Sequence, residues 1–245
     1  MYTNEQNNPL SDPSQDYNLF DVEEEPDNPE PRCAVVLLLD TSYSMKGQPI
    51  DDLNEGIRKF QHEIQNDQNN QTQNRLEVSI ITFGGDQPQL VQPFISATRF
   101  KAPTLQASGS TPMGAAMNMA MRILEERKQY YKDIDVRYYR PWIFLISDGI
   151  PTDKWEKAAQ RIQEAQNNNG VVFFGFGVTP EAMPTLTQIT GGKNVHFLRR
   201  NNQNQVSFRD LFCWLSNSMV SVCNTPVDED NKNQVYQIGL PDVLT

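Results

Sequence analysis

The sequence predicts an α/β fold: a doubly wound, mostly parallel central sheet with helices on both faces and one short edge strand. Two observations carry this. Several short runs are continuously apolar and β-branched, as strands covered on both faces are. Between them lie stretches of 10–20 residues whose apolar positions recur at helical spacing, the alternation that right-handed crossovers require.

The first run, Ala34–Leu39 (AVVLLL), is a strand. Ile50, Leu53, Ile57, Phe60 and Ile64 follow at spacings of 3, 4, 3 and 4, an amphipathic helix opened by Pro49. Leu76–Phe83 (LEVSIITF) reads as a strand and Leu90–Ile95 as a shorter one suited to an edge. Pro112 opens a helix to about Tyr130, with Ala116, Ala120, Ile123 and Leu124 as its inner face. Trp142–Ile146 (WIFLI) is another apolar strand, and the helix after it runs from about Asp153 to Asn168, ending before Gly170. Val171–Val178 forms a buried strand, Glu181–Ile189 a short helix and Val195–Leu198 a strand. The last helix, over about 205–222, carries Phe208, Leu211, Phe212, Leu215, Met219 and Val222 on one side.

In open α/β sheets ligands bind beyond the carboxyl ends of the strands. Two of the most apolar runs each deliver an acid there: Asp40-Thr41-Ser42-Tyr43-Ser44 after AVVLLL, and Ser147-Asp148-Gly149 after WIFLI. A third loop, Gly109-Ser110-Thr111-Pro112, adds hydroxyls at a helix entrance. Asp40, Ser42, Ser44, Thr111 and Asp148 together form an oxygen-only donor set, which suits Mg²⁺ or Mn²⁺ rather than Zn²⁺. Five side chains do not fill six positions, so an open position is expected. Capping or turn roles are the plainer alternative for Asp40, Thr111 and Asp148. Asp153 is expected to cap the helix that follows it, with support of the metal ligands from behind as the alternative; Ser110 is expected to be a loop residue, His62 to be solvated and His196 to be structural.

The run DTSYSM after a buried strand, the Thr of GSTPMG and the later ISDG resemble the metal-ion-dependent adhesion site of von Willebrand factor A domains, a Rossmann-like fold. The resemblance covers roughly residues 33–222. It implies that Asp40, Ser42 and Ser44 supply the first loop's Asp-x-Ser-x-Ser ligands, Thr111 the second loop's and Asp148 the third's. It further implies a non-enzymatic module whose open metal position accepts a protein partner's Asp or Glu. DTSYSMKGQPIDDLNEGI, GSTPMGAAM and ISDGIPTDKW look most similar to the bacterial TerY-like branch, associated with kinase and phosphatase partners in stress signalling. Tyr43 departs from the Gly common at that position and adds bulk beside the metal.

Composition narrows the classes of partner. The net charge is −10, and residues 1–31 hold nine acids and no Lys or Arg, while residues 32–245 balance 22 acids against 21 bases. Lacking a basic cluster, the chain is not expected to bind nucleic acid, and no run approaches the roughly 18 apolar residues that span a bilayer. With no secretory leader in its first residues, it is expected to be cytoplasmic. The expected division is an acidic flexible arm (1–31), one domain (32–222) and a tail (223–245), where Val235–Ile238 could dock as a strand. Glu23–Glu25 are expected to be solvated; the sharper alternative is that an acid of the arm occupies the metal site of its own or a neighbouring chain. Cys33, Cys213 and Cys223 are expected to be buried free thiols, Cys213 and Cys223 lying roughly 15 Å apart along one helix. Two rival functions use the same residues. One is a Mg²⁺-dependent phosphoryl hydrolase with Asp40 as nucleophile. The other is a scaffold whose metal site is vestigial.

Overall fold

A computed structural model describes residues 28–67, 71–199 and 206–227. Most of the acidic arm and the strand anticipated at 235–238 lie outside them. The strands are β1 (Cys33–Asp40), β2 (Leu76–Phe83), β3 (Gln89–Ser96), β4 (Trp142–Ser147), β5 (Val172–Gly177) and β6 (Val195–Phe197). The helices are α1 (Gln48–Gln65), α2 (Gln71–Arg75), α3 (Met113–Asp133), α4 (Glu156–Asn167), α5 (Met183–Thr190) and α6 (Phe208–Cys223).

The strands order as β3-β2-β1-β4-β5-β6, all parallel except β3, which pairs antiparallel with β2. The doubly wound prediction holds. Strand order reverses between β1 and β4, and that switch point is where such sheets open a crevice. The short edge strand is β6, with three residues, whereas β3 at the other edge runs eight, longer than 90–95 suggested.

Period-two alternation explains how β1 can be apolar throughout. Cys33, Val35, Leu37 and Leu39 join the core formed with α1 and α6; Ala34, Val36 and Leu38 join the one formed with α3, α4 and α5. Every residue of β1 and β2 is buried. The α1 stripe from Ile50 to Ile64 is buried as its spacing requires. On the same face Phe144 and Phe174 stack at 5.0 Å, with the Trp214 ring edge-on to both.

Cysteine placement differs in part from expectation. Cys33 and Cys223 are buried but Cys213 is only half-buried. The close pair joins the start of β1 to the end of α6: Cys223 hydrogen-bonds with Cys33, and that bond, with burial, raises its pKa well above the usual thiol value. No helix among the described residues is long and apolar enough to cross a membrane.

Candidate metal centre

At the switch point, β1 ends on Asp40 and β4 on Ser147, with Leu39 and Ile146 as register partners. Asp40 is fully buried. One of its carboxylate oxygens accepts the Ser42 backbone N–H at 2.8 Å, and the other accepts the Ser147 hydroxyl at 2.5 Å. A short 3-10 turn over Tyr43–Met45 then carries the chain toward α1. Ser42 Oγ lies 3.0 Å from Ser44 Oγ, and the Ser44 hydroxyl donates to Asp148 Oδ1 at 2.8 Å. Four of the five anticipated residues thus form one hydrogen-bonded cluster spanning two strand ends.

Thr111 is held beside the third loop by its backbone. Its N–H donates to Thr152 Oγ1 at 3.1 Å, and its carbonyl accepts from the Thr152 N–H at 3.0 Å. Thr111 is 6% exposed, and its hydroxyl has no hydrogen-bond partner among the described residues. The first and second loops are joined likewise: Ser108 N–H donates to Thr41 O at 2.7 Å and Tyr43 N–H to Gly109 O at 3.1 Å.

Glycine permits this crowding. Gly109 has φ +68°, and a Cβ there would sit 2.3 Å from Gly85 Cα. A Cβ on Gly114, in the first turn of α3, would stand 2.4 Å from the Lys154 carbonyl. Both close approaches demand the missing side chain.

Asp153 corrects an expectation. Its two oxygens accept the Gly114 and Ala115 N–H groups at 2.9 and 2.8 Å, so it caps α3, across space, rather than α4. The third loop is thereby tied to the helix that the second loop enters. Ser110, as expected, serves its loop, donating to Gly85 O at 2.5 Å. His62 is exposed. His196 packs on Phe176 with ring centroids 5.5 Å apart, and burial lowers its pKa.

Electrostatics separates Asp40 from an ordinary turn acid. Burial raises its pKa to about 6; the hydrogen bonds from Ser147 and Ser42 pull it down, and nearby Asp148 pushes it up. No Lys or Arg forms an ion pair with Asp40 among the described residues. Asp40 is thus a buried carboxylate next to a second acid, with three hydroxyls at hand and no Lys or Arg paired to it among the described residues. A divalent cation fits that chemistry. Ser147 is the contributor that the sequence reading did not single out, and Asp153, which it assigned to α4, acts on α3. Ser147 directly follows WIFLI at the strand end, which is a usable signal; the reach of Asp153 to another helix leaves none in the local sequence.

A von Willebrand factor type A domain model matches residues 34–212. Inter-alpha-trypsin inhibitor heavy chain H4 of Sus scrofa is 23% identical over 199 residues, 76% of this chain and 20% of that protein. The chain therefore spans about a fifth of that curated relative. Among solved structures, the pilus adhesin SpaC from Lactobacillus rhamnosus GG in its open conformation superposes with a TM-score of 0.59 at 13% identity, covering 77% of this chain and 30% of that one. Proximal thread matrix protein 1 from the mussel byssus, in a structure with a zinc-occupied MIDAS motif, gives 0.52 at 16% identity over 80% and 47%. Manganese-loaded TRAP protein of Plasmodium vivax gives 0.50 at 16% identity over 68% of each chain. At such identities the likeness is one of fold.

Proposed function

Because the chain belongs to the von Willebrand factor type A domain family, we propose that it is a metal-dependent protein-interaction module. Asp40, Ser42, Ser44, Thr111 and Asp148 would hold one divalent cation, Mg²⁺ or Mn²⁺, and a partner would supply an Asp or Glu carboxylate. The bound cation contributes Lewis acidity toward that carboxylate. The observation that carries this reading is the Asp40 carboxylate, buried without a cationic side chain.

The chain's own residues divide the work. Ser147 and the Ser42 N–H orient Asp40. Ser44 links Asp148 to the first loop, and Asp153 fixes the third loop against α3. Both Asp40 oxygens are committed to hydrogen bonds, which favours a holding role over that of a nucleophile and so supports binding rather than hydrolysis. The finer reading places the chain in the TerY-like branch, with kinase or phosphatase partners in bacterial stress signalling. It rests on DTSYSMKGQPIDDLNEGI, GSTPMGAAM and ISDGIPTDKW. Cytoplasmic residence belongs to the same proposal, supported by three free thiols.

Capture from native lysate tests the reading, using wild type and Asp148→Ala, each with Mg²⁺ and with chelator. A partner retained only by wild type with metal is expected. The same proteins retained in all four arms would overturn it.

A further inference from the structure

Two of the four large apolar side chains that stand exposed among the described residues flank the candidate metal centre: Tyr43 at 66% and Ile150 at 63% exposure. Each is one or two residues from a proposed ligand. Tyr43 separates Ser42 from Ser44, and Ile150 follows Asp148 and Gly149. The two loops touch, since Ser44 bonds to Asp148 and a Cβ on Gly149 would lie 4.0 Å from Ser44 Oγ. The rim also carries a positive charge, Lys46 Nζ, 5.3 Å from the Tyr43 ring centroid. Such a rim fits an acidic side chain with apolar neighbours better than an acid in a polar run.

The chain carries one such acid in the segment before Asn28. Residues 1–27 contain seven apolar side chains, counting Met and Tyr, and four of them (Tyr17, Leu19, Phe20, Val22) crowd around Asp21. Whether that stretch is extended, which puts Leu19 on the carboxylate's side, or turned, which brings Phe20 or Val22 there, an apolar group accompanies Asp21. Among the other acids of 1–27, none has large apolar residues on both sides.

Reach decides whose centre Asp21 can enter. Asn28 is pinned at the amino end of the strands, donating through Nδ2 to Asn74 O at 2.7 Å, just before β2 begins. Seven residues, fully stretched, span at most about 25 Å. The eight residues of β2 already occupy about 23 Å on a straight line between the two poles. That leaves no slack for passing round the edge of the sheet and rising to the rim.

We propose that Asp21, with its apolar neighbours, docks at the Tyr43–Ile150 rim of a second copy of this chain and offers its carboxylate to the metal centre there. The exchange is reciprocal in a closed dimer, and a partner's acid must displace it. This inference rests on the metal-dependent reading above.

Sedimentation velocity of the full chain over a range of concentrations, in Mn²⁺ and in chelator, tests it, with Mn²⁺-dependent melting followed in parallel. Wild type is expected to be monomeric in chelator and to dimerise in Mn²⁺. Asp21→Ala and the double variant Tyr43→Ser/Ile150→Ser should keep the Mn²⁺-dependent rise in melting temperature while the dimer weakens at least about tenfold. Glu24→Ala should behave as wild type. Unchanged mass in both buffers, or dimerisation of Asp21→Ala equal to wild type, overturns the arm exchange and leaves the metal reading standing. A wild type whose melting ignores Mn²⁺ removes the metal reading, and the exchange with it.

Discussion

The two poles of the sheet each bury a carboxylate and treat it differently. At the amino end Glu77, 6% exposed, has its cations built in. Arg127 binds it through two bonds of 2.8 Å, Arg32 Nε lies 3.4 Å away, and the Tyr131 hydroxyl donates to it. Burial opposes the charge on Arg127, but Glu77 and Tyr131 together outweigh it, so the Arg127 pKa stands above its ordinary value. Burial first, and Glu77 second, raise Tyr131 well above its own. At the carboxyl end Asp40 has only dipoles, from Ser42 and Ser147, and an acid for a neighbour. The first carboxylate is a finished structural element. The second is costly to the chain alone, and such a cost suits a group whose counter-charge comes from outside.

Removing a partner from the finished pole should have the largest effect. Arg127→Met leaves Glu77 short of its main cation and should cost about 3–5 kcal/mol in urea unfolding. A loss below about 1 kcal/mol would mean that Arg32 and Tyr131 suffice.

The opposite sign is expected at the other pole. The folded pKa of Asp40, about 6, lies above its unfolded value of 3.8. Its ionisation therefore opposes folding: the cost is absent below pH 3.8, grows between 3.8 and 6, and is complete above. By linkage it amounts to about 3 kcal/mol at most. In metal-free buffer at pH 7, Asp40→Asn should be more stable than wild type by about 1–3 kcal/mol. The difference should shrink as pH falls from 6 toward 4. Urea midpoints across that range check it, and a constant gap would contradict the assigned titration.

Asp153→Ala should cost about 1–2 kcal/mol through the lost cap of α3. It should also weaken Mn²⁺ binding, because the third loop loses its tie to the helix. An unchanged Mn²⁺ affinity would confine Asp153 to stability. Smallest of all, Glu63→Gln breaks a half-exposed pair with Lys59 on α1 and should shift stability by less than about 0.5 kcal/mol.

How much of this was legible follows from range. Strands buried on both faces announce themselves as AVVLLL, WIFLI and VVFFGFGV, so the sheet and every helix but the five-residue α2 could be placed from local pattern alone. The candidate centre was legible because each loop carries its donors within a few residues of a strand end or helix start. What escaped depends on distant packing. Asp153 turns to α3 rather than α4, Cys33 meets Cys223 across most of the chain, and Arg127 reaches back to Glu77, 50 residues away. The β2–β3 pairing carries register shifts between Val78 and Ile81, and nothing in the residues near 90–95 marks where such a ladder stops.

Calorimetric titration of Mn²⁺ into the metal-free chain, wild type and Asp40→Ala, puts the unfinished pole to the most direct test. One ion per chain in wild type and none in Asp40→Ala is the expected result. Equal binding by both, or no binding by either, would contradict a cation-seeking carboxylate at the switch point.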